Sequence, residues 1–183
     1  MVKTAAKKKP SAKLGSLPEW NLNDLYARMD DPALKRDLDQ GDEDCAAFEK
    51  DFKGRLAEMA EEGGNTVAEA VKRYEEIEDR LGRVYSYASL LYAGDTTDPA
   101  RAKFYGDVQE RITNASIHLL FFTLELNRVE HAKLEAALAD PALAHYRPWI
   151  EDVRKEKPYQ LEDRIEQLFH EKSVTGYSAW NRQ

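Results

Sequence analysis

The residues best equipped for chemistry sit in "LFHEKSVTG" (168–176), where His170 and Glu171 are adjacent on a predicted helix. His-Glu is how the zinc-binding helix motif H-E-x-x-H begins. Zinc-assisted hydrolysis needs three fixed protein ligands, an open position for water and a base to take its proton. The motif supplies two histidines one turn apart with a glutamate beside the first. Here the second histidine would have to be residue 174, which is valine. Glu166 stands four residues before His170 and completes only a two-ligand pair. His131 and Glu135 share the same spacing, typical of a helix-surface pair. His118 lies on the most apolar helix and reads as a core or interface histidine with one satisfied nitrogen. His145, in "AHYRPW", reads as packing. No Gly-x-Ser-x-Gly, phosphate-cradling glycine loop or Cys/His cluster occurs. The carboxylate runs "EEIED", "MDD" and "DEDC" read as a solvated acidic face. Catalytic residues, cofactor-binding residues and metal ligands are therefore all expected to be none in this chain.

The elements that would position these groups are helical throughout. Asn21 or Asn23 can cap a short helix carrying Leu22, Leu25 and Tyr26, which stops at Asp30-Asp31-Pro32. Asp31 and Pro32 then open a second helix, with Leu34, Leu38, Cys45, Phe48, Phe52, Leu56 and Met59 near one face. Gly41 weakens it and Gly63-Gly64 ends it. Thr66-Val-Ala-Glu69 reads as a capping box for a third helix closing at Gly94. A fourth runs from Asp98-Pro99 to Val129. Its stretch "ASIHLLFFTLEL" is apolar on more than one face, which calls for neighbours on several sides; the chain's seven helices can supply them, and a missing second half would do so more naturally. Shorter helices follow over about 130–139, from Pro141 to before Pro158, and over about 161–172, and "YSAWNRQ" looks like another starting. The prediction is an all-α fold of about seven helices, the long amphipathic ones packed antiparallel. The chain ends without a cap, a glycine or a polar tail, so we expect it to be part of something longer. Three regions are expected: a Lys-rich disordered tail over 1–16, a long-helix region over 17–129 and a short-helix segment over 130–183.

Composition narrows the partners. The 183 residues carry 27 basic and 34 acidic side chains. Five of the basic ones are lysines within the first 13 residues, so the rest of the chain carries −12. An acidic body argues against nucleic acid, because phosphate contacts need clustered Lys and Arg. The longest apolar run, "LLFFTL", is far too short to span a membrane. The lone Cys45 rules out an internal disulfide framework and fits a reducing compartment, most simply the cytoplasm.

Two segments carry a family resemblance. "EWNLNDLY" resembles the W-x-L-x-D-L-Y opening of oligoendopeptidase F proteins, in Trp20, Leu22, Asp24, Leu25 and Tyr26. "KPYQLEDRIEQLFHEKSVTGYSAWNR" resembles the segment ending that family's N-terminal half, in Leu161, Glu166, Leu168, Ala179 and Trp180. Between them come a tyrosine-rich helix, a Thr-Asp turn and a "FFTLEL" helix in the same order, so the resemblance covers roughly 17–183. Tyr177 departs from the more polar residue expected there. The resemblance implies the N-terminal lobe of a larger, cytoplasmic, helical zinc metallopeptidase related to thimet oligopeptidase, which hydrolyses short peptides in a deep channel. The zinc ligands and H-E-x-x-H of the family lie in its C-terminal half, so none is carried onto this chain and no zinc is expected to bind it. The implied partners are oligopeptide substrates and the C-terminal catalytic domain. By itself the chain is expected to be inactive and to expose apolar surface. The alternative is a free-standing helical protein–protein interaction module.

Overall fold

The computed structural model describes residues 20–181; the Lys-rich tail lies outside them. Among the described residues there are no strands. The helices are α1 (Pro32–Phe52), α2 (Leu56–Glu62), α3 (Gly64–Gly94), α4 (Pro99–Ser116), α5 (Leu120–Arg128), α6 (His131–Ala137), α7 (Pro141–Ala144), α8 (Arg147–Lys155), α9 (Asp163–Ser173) and α10 (Tyr177–Trp180). Short 3-10 turns cover Ile117–Leu119 and Lys157–Tyr159.

Two starts follow directly from local chemistry. Asp31 accepts a hydrogen bond from the Ala33 amide at 2.8 Å, and Asp98 accepts from the Ala100 amide at 2.8 Å. In both cases proline follows at the first helical position, where it forfeits no bond. The expected helix over 21–26 does not form. Leu22 only accepts the turn bonds of Leu25 and Tyr26, since the Asp-Asp-Pro stop leaves too few residues to offset nucleation. Tyr26 instead anchors the segment: its ring meets Tyr87 edge-on at 5.4 Å and its hydroxyl donates to Asp37 at 2.6 Å.

The second predicted helix divides into α1 and α2. Gly54 takes a φ of 82°, a conformation that L side chains rarely adopt, and its amide donates to Glu125 of α5 at 2.7 Å. The capping box is also absent. Helix α3 begins three residues earlier than expected, at Gly64 rather than Val67, and the Thr66 hydroxyl donates to the carbonyls of Met59 and Gly63, both at 2.8 Å. It therefore closes the C-terminal end of α2 rather than opening α3.

Helices α1, α3 and α4 pack lengthwise. Ion pairs set the register. Arg80 pairs with Asp44, and Arg73 with Asp51 at 2.6 Å, so α1 and α3 are antiparallel. Arg111 reaches both Asp39 and Asp42 at 2.7 Å, and His118 reaches Glu49, so α1 and α4 run parallel. Asp42 and Asp44 of "DEDC", a run expected to be merely solvated, thus form part of a seam between helices.

The core has two centres. One joins Tyr26, Leu34, Leu38, Val84, Tyr87 and Val108. The other surrounds Phe48 and Phe122, whose rings meet edge-on at 5.0 Å, and extends through Ile77, Leu126, Leu134, Leu143 and Ile150. Helices α5, α6, α7 and α8 therefore complete the core around "ASIHLLFFTLEL". Ala115, Leu119, Phe121, Phe122, Leu124 and Leu126 are all buried. These buried residues find their neighbours within the chain itself.

Candidate functional site

The four histidines are scattered. His170 Nε2 lies 2.9 Å from the Ser116 hydroxyl and 3.3 Å from the Thr113 carbonyl, which ties α9 to the end of α4. Glu171 accepts from Gln167 at 2.9 Å, one turn back on the same helix. Glu166 does not join His170; it accepts from the Leu161 amide at 2.8 Å. Glu135 pairs with Arg147 at 3.0 Å rather than with His131. His118 Nδ1 donates to Glu49 at 2.5 Å, and Glu49 also accepts from Lys53. Lys53 first, then His118, holds the Glu49 carboxyl below the usual range. His145 meets the Tyr146 ring edge-on at 5.0 Å.

Zinc would need three or more His, Cys, Asp or Glu side chains drawn together. No such group exists among the described residues, so they do not fit the metal. Cys45 is fully buried, and burial pushes its thiol up to about 12, which leaves it unreactive at neutral pH. Among the described residues no helix is long and apolar enough to cross a membrane.

The unusual feature is the surface of α9 and α10. Neither helix buries a single residue. Ile165, Leu168 and Phe169 recur at helical spacing on α9, and Tyr177 and Trp180 follow on α10. Their exposures are 38%, 51%, 62%, 78% and 73%. What fastens α9 to the body is polar. Arg128 makes a two-pronged ion pair with Asp163, and His170 meets Ser116. Next to it the Gln160 amide donates to the Leu124 carbonyl at 3.2 Å. An amphipathic helix ordinarily turns its apolar stripe to the core; α9 presents its stripe to solvent. Contiguous exposed apolar side chains mark interaction surfaces.

Comparison with known proteins gives this surface a context. Residues 125–183 match the sequence profile of the family described as oligopeptidase F. Oligopeptidase PepF of Bacillus subtilis (strain 168) is 28% identical over 166 residues, which cover 87% of this chain. The chain resembles the N-terminal portion of oligopeptidase F. It spans only 23% of the length of that curated relative. No solved structure matches it. Both α9 and α10 lie wholly within the residues that match the family profile.

In the sequence, Leu168 and Trp180 carry only the resemblance; that they belong to an exposed apolar surface is not read from it. The detectable signal was the polar set Asp163, Glu166 and His170 on the opposite side of α9, each of which has a partner within the chain.

Proposed function

We propose that the chain is the N-terminal, non-catalytic part of an oligopeptidase F-like zinc metalloendopeptidase that hydrolyses short peptides when complete. In this reading residues 17–129 form the long-helix lobe, and 130–183 lead to the C-terminal catalytic domain, against which the stripe of α9 and α10 packs. The lobe then forms one wall or lid of a channel, narrow enough to admit oligopeptides and exclude folded proteins. Its contribution is size selection, while zinc and the water-activating base belong to the other domain. A cytoplasmic location suits such an enzyme.

The observation that carries this reading is the apolar stripe held outward by polar anchors, inside the segment that matches the family. Burying a side chain such as Phe169 or Trp180 contributes about 1.5–3 kcal/mol, so a surface of several such residues favours a permanent neighbour.

The catalytic half of the claim has a direct test. The isolated chain, supplied with zinc and a quenched fluorescent peptide, is expected to give no turnover above the zinc-only control. Turnover that follows the chain's concentration and is abolished by a chelator would overturn it.

A further inference from the structure

Where Tyr146 and α8 meet α3 there is an open pocket of about 390 Å³. Three aromatic rings line it, Tyr74, Tyr146 and Trp149, with three carboxylates, Glu75, Glu78 and Asp79. Helical spacing gathers the α3 residues, since Tyr74 and Glu78 stand one turn apart, as do Glu75 and Asp79. The rings are held in advance. Tyr74 lies 5.8 Å from Trp149 between centroids and stacks on the buried Phe122 at 5.1 Å, while the Tyr146 hydroxyl donates to Glu75 at 3.2 Å. The lining can be reached from solvent: the three acidic residues are exposed and the three aromatic ones half-buried. Ion pairs engage neighbouring carboxylates, Glu76 with Lys72 and Glu135 with Arg147, but among the described residues none engages Glu75, Glu78 or Asp79. Nor does any Lys or Arg among the described residues line the pocket.

We propose that this pocket binds the head group of a small quaternary ammonium compound between the three rings and the three carboxylates. A cation is drawn to the electron-rich face of an aromatic ring and, by charge, to the carboxylates beside it. A quaternary ammonium has no N–H to leave unsatisfied against the rings, whereas a primary ammonium is a strongly hydrated point charge that gives up its water reluctantly. Like charges one turn apart on a helix repel each other, so a cation also relieves Glu75 and Asp79. A choline lipid carries a phosphate next to its ammonium, which the three carboxylates repel, so the ligand is a free molecule and not a membrane surface. The pocket is complete within this chain and needs no second domain.

The test is an NMR titration of the chain with choline, beside its uncharged isostere 3,3-dimethylbutan-1-ol and its primary-ammonium counterpart ethanolamine. Choline is expected to shift the Trp149 indole N–H saturably and to leave those of Trp20 and Trp180 in place. The uncharged isostere should bind at least about tenfold more weakly, and ethanolamine should also be weaker than choline. Trp149→Leu should abolish the choline shifts at the Glu75 and Asp79 backbone amides, and Glu78→Gln should weaken binding about threefold. Glu78 is exposed, so its variant decides the matter if Trp149→Leu fails to fold by circular dichroism. Phosphatidylcholine vesicles should not carry the chain down on centrifugation. Shifts shared equally by the three indoles, no saturable shift, either control compound binding as tightly as choline, sedimentation with the vesicles, or a Glu78→Gln chain that binds as the parent does would each overturn the proposal.

Discussion

At the scale of single residues, burial raises the carboxyl pKa of Glu78 on α3, as it does that of Glu125 on α5. Glu78 stands in a cleft with Tyr74, Ile112, Leu119 and His170. Crowding by the cleft walls removes water and raises its carboxyl pKa, an effect that the nearby His170 partly offsets. A raised pKa means that the folded chain holds the proton more tightly than the unfolded one, so the ionised group costs stability at neutral pH. That cost disappears as pH falls through the folded-state pKa. Glu78→Gln is therefore expected to stabilise the chain at pH 7, by less than about 1 kcal/mol because the carboxylate keeps contact with solvent. The gain should vanish in acid; urea unfolding at pH 7 and pH 4 checks both points. Glu49 has the opposite sign. Its lowered pKa supports the fold at neutral pH, and that support is lost as pH falls through the folded-state value.

At the scale of helices, two glycines of α3 make contrasting predictions. A Cβ on Gly64 would meet the Ala137 carbonyl oxygen at 2.1 Å and the Asp140 Cβ at 2.4 Å, whereas one on Gly82 would meet nothing within 4 Å. Gly64→Ala should destabilise by about 2 kcal/mol or more, since backbone must shift to admit it. Gly82→Ala should stabilise by up to about 1 kcal/mol through helix propensity alone. Thermal melts of the two variants beside the parent distinguish these outcomes. The same glycine shows where the sequence stopped being readable. The stripes of α3 and α4 and the Asp-Pro starts of α1 and α4 were legible because they depend on local spacing and capping. The true start of α3 was not, because Gly64 is placed by packing against α6 and α7. The break after α1 was hidden too, since it depends on Glu125, distant in sequence, accepting from Gly54. A helix over about 161–172 was legible, but not that its apolar residues face outward. Direction depends on what Arg128 and Ser116 offer to the other side.

At the scale of the molecule, the chain completes its own core around Phe48 and Phe122 and still leaves a second apolar surface uncovered. Half of the most apolar stretch of sequence, 115–126, is buried within the chain, while exposed apolar side chains recur on α9 and α10 and stand also at Trp20 and Tyr159. That division fits a lobe that folds around its own helices and presents one prepared face to a neighbour. Sedimentation velocity across a range of concentrations tests this most directly, comparing the chain with a Leu168→Ser, Phe169→Ser, Trp180→Ser variant. The account predicts that the parent chain self-associates through the stripe as concentration rises and that the triple variant stays monomeric with an unchanged melting profile. A parent chain that remains monomeric throughout, or a triple variant that associates equally well, would contradict it.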